Sequence, residues 1–125
     1  LAPMPKGKRK KRTARSLADE AERYHLYQMS VQEPEQEVDF FDQVYKEQNG
    51  RMPKLLREDF CGTFAICCEW AKRNGRTAIG VDLDPEPLDW GRRNNLAPLT
   101  PRQQQRVTVL QQDVRQINEP KVDIL

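Results

Sequence analysis

Carboxylates stand at the ends of the first three segments of the chain that predict β-strands. Glu58 and Asp59 end the first segment, Asp82 ends the second, and Asp113 follows the third. Ligands of open parallel sheets bind beyond the carboxyl ends of the strands, so these side chains should meet at one edge. Asp82 lies 24 positions after Glu58, close to the interval of about 20 residues at which an acid meets a ribose in nucleotide-binding units. One carboxylate accepts hydrogen bonds from both adjacent hydroxyls of a ribose.

The turn after the first predicted strand, Cys61-Gly62-Thr63, contains one glycine where backbone must approach a ligand closely. A dinucleotide pyrophosphate requires a GxGxxG run that leads into a helix, and this turn lacks it. Two carboxylates beside the turn would repel a pyrophosphate, whereas they suit a ligand that is positively charged there. These residues therefore argue against a nucleotide-binding oxidoreductase.

Four apolar segments predict strands, and a helical pattern follows each of the first two. The strands are predicted at 54–58, 77–81, 106–110 and 121–125, and the helices at 64–74 and from 85 to about 95. Gly75 closes the first helix, and Asp84-Pro85 begins the second with an N-cap and a proline at the first helical position. The alternation predicts an α/β fold, a Rossmann-like parallel sheet with right-handed crossovers and helices on both faces. We expect this sheet to be truncated at its fourth strand.

Two amphipathic helices are predicted before the first strand. In residues 16–31, apolar side chains recur at spacings of three and four behind Ser16, which with Asp19 forms a weaker capping box. After Pro34 a second helix carries Val38, Phe41 and Tyr45 on one face and stops at Gly50. The predicted organisation is a basic arm (1–15), two N-terminal helices that cap the site (16–50) and an incomplete ligand-binding half-domain (51–125).

The basic arm contains seven lysines and arginines and no acid. Without these seven charges, the net charge of +2 becomes −5 for residues 16–125. A segment this polar cannot bury enough surface to offset its ordering entropy, which favours a solvated tail. The other interpretation is nuclear import or attraction of nucleic acid through residues 6–15, without base-specific recognition because no aromatic side chain is interleaved.

The cysteines exclude two classes of protein. Cys61, Cys67 and Cys68 are odd in number and contain no CxxC spacing, so they fit neither a disulfide framework nor a zinc site. No apolar run is long enough for a signal peptide or a membrane span. The sequence predicts a soluble cytoplasmic protein with reduced thiols and no metal, with the nucleus as an alternative that depends on the arm.

Three motifs in order resemble the class I S-adenosylmethionine-dependent methyltransferases. REDFCGT (57–63) is similar to a first motif found in one little-characterised subfamily, and GVDLDP (80–85) and QDVR (112–115) follow at the family's spacing. The resemblance covers about residues 24–125. Phe60 and Phe64 stand where the wider family's GxGxG turn has glycines.

The resemblance implies a set of cofactor-binding residues. Glu58 would lie near the methionine ammonium group, and the backbone at Cys61 and Gly62 would line the methionine portion. Asp82 would bind the ribose hydroxyls. The adenine would meet the last residues of the set: its amino group would donate to Asp113, and Val114 and Leu83 would lie against its ring.

Two further residues have less defined roles. Arg57 has two interpretations, a contact to the methionine carboxylate or an ion pair with Glu58 or a nearby acid, and the ion pair is favoured. Asp123 matches the start of the family's fourth motif, and the resemblance implies that it could orient the methyl acceptor. The sulfonium is already an activated donor, so catalysis would consist mainly of alignment and exclusion of water.

Two function classes follow. The first is a methyltransferase that binds S-adenosylmethionine and transfers its methyl group to an unidentified acceptor, with this chain supplying the cofactor-binding half. We expect such a piece to be inactive alone, because its fourth strand is cut. The second is a non-catalytic module of the same fold that binds RNA or protein with help from the basic arm.

Overall fold

The computed structural model describes Asp19, Glu22, Arg23 and residues 33–125. The basic arm and most of the first predicted helix lie outside the described residues. Three parallel strands form a sheet in the order β1-β2-β3, with bounds β1 Leu55–Asp59, β2 Thr77–Asp82 and β3 Val107–Gln111. The predicted α/β architecture with a parallel sheet is therefore confirmed.

The fourth predicted strand is represented by one parallel bridge between Leu56 and Ile124. Leu56 also pairs with Ala78 of β2. Because a strand has only two hydrogen-bonding edges, Ile124 lies on the edge of β1 opposite to β2. The bridge places residues 123–124 beside the amino end of β1, where Asp123 and Ile124 both donate backbone hydrogen bonds to the carbonyl of Leu55.

Within residues 33–125, four α-helices accompany the sheet. Their bounds are α1 Pro34–Asn49, α2 Ala65–Ala71, α3 Pro85–Gly91 and α4 Pro101–Gln105. A π-helical turn, Arg92–Leu96, continues α3, and a 3₁₀ turn, Val114–Gln116, follows β3. The sequence pattern did not predict the short α4, although Thr100 and Gln103 form a reciprocal capping box at its start.

The two faces of the sheet are covered differently. A Cβ atom built on Gly80 would lie 3.4 Å from Cys67 Sγ, so the face that includes Gly80 and its partner Glu58 packs against α2. Side chains alternate along a strand, so Arg57 points to the other face. The segment after β3, which contains the 3₁₀ turn, lies on that face, where two of its carbonyls accept hydrogen bonds from Arg57.

The core lies between the sheet, α1 and α2. Trp70, Phe64 and Leu88 are fully buried in it, and Val38 brings α1 into the same cluster. Burying such large apolar side chains contributes about 1.5 to 3 kcal/mol each. None of the described helices has both the length and the apolar character that a membrane crossing requires.

Candidate cofactor site at the strand ends

The register brings the predicted acids to one edge of the sheet. Asp59 pairs with Val81, and Asp82 pairs with Gln111, so the three strands end within one residue of the same level. Glu58 on β1 pairs with Gly80 on β2, and Asp82 follows Gly80 by two positions. Since side chains alternate along a strand, Glu58 and Asp82 share the face that packs against α2. Asp113 follows β3 by two residues.

The turn that follows β1 has left-handed backbone at alternate positions. The φ angles are 56° at Phe60, 56° at Gly62 and 44° at Phe64. Hydrogen bonds fix the turn on both sides, since the Cys61 amide donates to the Val81 carbonyl at 3.0 Å and the Phe64 amide donates to the Cys61 carbonyl at 2.8 Å. Because Gly62 has no side chain, a ligand can approach the backbone of the turn closely at this position.

The end of α3 supports this turn from behind. A Cβ atom on Gly91 would lie 2.4 Å from the Thr63 carbonyl oxygen, so the helix backbone touches the turn at a distance that only glycine permits. The Asn95 side-chain amide donates to the same oxygen at 2.9 Å. Asn95 belongs to the π-helical turn, a rare element that is frequent at functional sites. Helix periodicity does not reveal a π turn, so the sequence predicted no site role for Gly91 or Asn95.

Asp82 joins the two loops that would flank a ligand. Its Oδ2 accepts from the Gly62 amide at 2.9 Å, and its Oδ1 accepts from the Asp84 amide at 3.0 Å. A carboxylate offers about four acceptor positions, so both oxygens retain capacity for further donors. The side chain is half-buried and oriented by these bonds, which is a suitable arrangement for two hydroxyl groups.

Glu58 lies under the turn, at a site where its charge is poorly solvated. Burial raises the pKa of Glu58 to about 7, and the carboxylates of Glu37 and Asp82 add to the rise. A 3.6 Å contact in which the Cys67 thiol donates to Glu58 acts in the opposite direction. An added cation would relieve this repulsion, so the group favours a positively charged ligand.

Glu37 was not among the predicted site residues. It belongs to α1, is half-buried, and is close enough to Glu58 for its charge to raise the pKa of that group. In the sequence it directly precedes Val38, at the margin of the apolar face, and this position alone does not distinguish it from solvated acids on the same helix.

Asp113 caps the 3₁₀ turn and is paired with a neighbouring arginine. Its Oδ1 accepts from the Arg115 amide at 2.9 Å, and its Oδ2 accepts from the Arg115 guanidinium at 2.6 Å. The hydrogen bond from the Arg115 side chain is the main cause that lowers the pKa of Asp113 to about 2. The carboxylate is therefore an acceptor throughout the neutral range. Leu83 is exposed and Val114 is half-buried nearby in the chain, so both keep apolar surface for a ring.

Arg57 makes protein contacts rather than facing the turn. Its Nε donates to Asp59 Oδ1 at 2.6 Å, and its two terminal nitrogens donate to main-chain carbonyls of the segment after β3. The ion pair forms with Asp59 and not with Glu58, because residues 57 and 59 share one face of the strand.

Asp123 lies at the wrong end of the sheet for the role that the resemblance implied. Its Oδ2 accepts from the amides of Lys54 and Leu55 at 2.8 and 3.0 Å, at the amino end of β1. Tyr45 and Arg51 donate to its Oδ1, and the backbone bond from Leu55 is the largest cause that lowers its pKa. The ligand edge is at the carboxyl ends, so Asp123 lies at the opposite end of β1, where it anchors the start of the strand.

The cysteines are free and buried. Burial raises the pKa of Cys61 and Cys67 strongly, and raises that of Cys68 to about 12. Thiols in this state remain protonated and are poor nucleophiles. Within residues 33–125 and the three described residues before them, no group of three or more His, Cys, Asp or Glu side chains is arranged to hold a metal ion.

The chain is similar in structure to several methyltransferases. The TehB-like SAM-dependent methyltransferase from Corynebacterium glutamicum aligns over 90% of this chain and 54% of its own, at 18% identity and a TM-score of 0.52. The plantazolicin methyltransferase BpumL aligns over 83% and 38%, at 14% identity and a TM-score of 0.57. The methyltransferase domain of bacterial CtHen1 aligns over 65% and 44%, at 22% identity and a TM-score of 0.50.

These similarities establish the fold. The sequence matches no protein-family model and no curated protein. The chain has the Rossmann-like fold of the SAM-dependent methyltransferases, as the motifs predicted, and it spans between about a third and about half of the length of these structures.

Proposed function

We propose that this chain is the cofactor-binding part of an S-adenosylmethionine-dependent methyltransferase. The observation that carries the proposal is the set of acids at three adjacent strand ends around a turn with left-handed backbone at alternate positions. A structure of BpumL with S-adenosylhomocysteine, which has the same fold, adds support.

The residues of the site suit the three parts of S-adenosylmethionine, which are the methionine portion, the ribose and the adenine. The poorly solvated carboxylate of Glu58, with Glu37 beside it, suits the ammonium group of the methionine portion. Asp82 retains acceptor positions for the ribose hydroxyls. Asp113 remains ionised and can accept from the adenine amino group once the exposed Arg115 side chain moves aside.

When bound, S-adenosylmethionine supplies a methyl group that its sulfonium already activates. The residues of this chain would then act by orientation and by exclusion of water, without proton transfer at the sulfur. The three free cysteines support a reducing, cytoplasmic location.

Isothermal titration with S-adenosylmethionine and S-adenosylhomocysteine tests the proposal. We expect both to bind, and we expect Asp82→Ala to weaken binding by roughly 10- to 100-fold, since hydrogen bonds to a charged group are lost. The matched control is Asp89→Ala, because Asp89 is exposed on α3 and pairs with its neighbour Arg92 on the surface. The affinity of this variant for both ligands should equal that of the wild type.

Two results would contradict the proposal. One is the absence of binding by the wild type, and the other is an equal affinity in Asp82→Ala. Salt-dependent binding of nucleic acid without cofactor affinity, lost on deletion of residues 1–15, would instead support the non-catalytic module.

A further inference from the structure

We propose that Arg57 is a positioning residue that holds the segment Asp113–Ile117 in the place from which Asp113 and Val114 contact the adenine. This inference rests on the proposed function, because it assigns a task to a residue outside the cofactor's own contacts.

The guanidinium of Arg57 bridges β1 and the segment that follows β3. Its Nη1 donates to the Ile117 carbonyl at 2.5 Å and its Nη2 to the Val114 carbonyl at 2.9 Å, while Asp59 accepts from Nε at 2.6 Å. The residue is only 9% exposed. Three donors of one planar group are thus fixed in three directions, which restricts where the segment can lie.

The segment itself has few means of holding its position. Arg115 and Gln116 are exposed, Val114 and Ile117 are half-buried, and the only regular element is a single 3₁₀ turn. Loops with few buried contacts open locally at little cost in free energy. The partly buried hydrogen bonds from Arg57 to carbonyls at both ends of this turn therefore have a large influence on the position of Asp113.

A lysine cannot replace this arrangement. Its ammonium is a compact charge that cannot donate simultaneously in the three directions of the guanidinium fork, although it keeps the positive charge beside Asp59. Arg57→Lys should therefore retain the fold while it loosens the segment. Asp59→Asn is a second and milder variant, because it removes the charge that orients Nε and leaves Arg57 in place.

The test compares two ligands that differ at the base. S-adenosylhomocysteine carries the adenine amino group, and S-inosylhomocysteine has an oxygen in its place. The ratio of their dissociation constants measures how well Asp113 is placed, and a general loss of stability would weaken both ligands and leave the ratio unchanged. The control is Arg106→Lys, since Arg106 also donates from a half-buried position to a carbonyl, that of Arg73, away from the site.

We expect the wild type and Arg106→Lys to prefer the adenine ligand by at least about tenfold, and Arg57→Lys to lose most of that preference, with an intermediate value for Asp59→Asn. A preference in Arg57→Lys and Asp59→Asn equal to that of the wild type would overturn the inference, as would the absence of any preference in the wild type. If S-adenosylhomocysteine does not bind the wild type at all, the proposed function fails instead.

Discussion

Phe60 and Phe64 both adopt the left-handed backbone conformation that glycine adopts most readily. They differ in whether burial of the side chain offsets the conformational cost. Left-handed backbone costs a residue with a side chain about 1 to 2 kcal/mol. Phe64 is fully buried, so its ring offsets this cost, whereas Phe60 is 76% exposed. The turn therefore has left-handed backbone at three positions, of which only Gly62 is a glycine.

We predict that Phe60→Gly is more stable than Phe60→Ala by about 1 kcal/mol, because both remove the exposed ring but only glycine relieves the left-handed strain. Urea unfolding of the two variants measures this difference. Equal midpoints and slopes, or greater stability of the alanine variant, would show that Phe60 is not strained in solution.

Glu58 should make stability and cofactor affinity depend on pH in opposite directions. Its pKa is about 7 in the folded protein and 4.5 ordinarily, so the folded state binds more protons between these values and its stability falls as pH rises through them. A cationic ligand prefers the ionised carboxylate, so its affinity should rise over the same interval.

Glu58→Gln should remove both trends and increase the stability of the ligand-free protein at pH 8 by on the order of 2 kcal/mol. Thermal unfolding and isothermal titration from pH 5 to pH 8 provide the measurement. Glu47→Gln, at an exposed position of α1, should keep the wild-type profiles. A flat wild-type profile would be inconsistent with a raised pKa of Glu58.

At the scale of elements, α3 and the π turn behave as one support for the cofactor turn. Gly91 allows backbone contact with Thr63, and Asn95 donates to the same carbonyl from the next turn of helix. Because two elements fix one carbonyl, the amides of the turn are held toward the strand ends. The support also explains why a glycine is buried inside a helix, where it costs about 0.5 to 1 kcal/mol relative to alanine.

Gly91→Ala should therefore destabilise the protein, by about 3 kcal/mol, since the new methyl group would overlap with backbone that cannot move aside. The substitution should also weaken the binding of S-adenosylhomocysteine, because Thr63 must shift. The comparison is Gly50→Ala, where a Cβ atom meets nothing within 4 Å and only the φ of 71° is unfavourable. Urea unfolding should give about 1 kcal/mol there, and a similar value for Gly91→Ala would refute the contact.

The elements that the sequence predicted are those with a strong local pattern. All three strands were placed within one residue of their observed bounds, because each is a short apolar run that ends in polar residues. The helix after β1 is shorter than predicted and ends at Ala71 instead of Asn74. The short α4 lacks an apolar stripe, so only its capping box could have revealed it.

The parts of the site that were missed depend on contacts between distant segments. Glu37 and Asn95 approach the site from other elements, and no spacing in the sequence encodes such an approach. The role of Asp123 was inferred from a motif alone, and its position at the amino end of β1 depends on hydrogen bonds to the distant residues Lys54 and Leu55. The motifs predicted the strand ends. They did not predict how the helices pack against those ends, because that packing depends on contacts between segments that are distant in the sequence.

At the scale of the whole molecule, a buried ion-pair network attaches α1 to the sheet domain. Asp42 on α1 accepts from Arg73 at 2.6 Å and from Arg76 at 2.5 Å. Asp42 and Arg76 are 7% and 6% exposed, and the Arg76 guanidinium lies 4.4 Å from the centre of the Trp70 ring. This attachment holds Glu37 near Glu58, so the network links the position of the N-terminal helix to the electrostatics of the site.

Removal of Asp42 should be far more costly than removal of its exposed neighbour. Asp42→Ala leaves Arg76 buried without its carboxylate, which costs about 3 to 5 kcal/mol for a buried pair. Asp39→Ala removes an ion pair to the same Arg73 from a side chain that is 63% exposed, and exposed pairs contribute at most about 1 kcal/mol. Urea unfolding of both variants, with hydrogen exchange of the α1 amides, measures the contrast. Equal effects of the two substitutions would mean that the network does not attach α1, and that the apolar contacts of Val38 and Phe41 are sufficient.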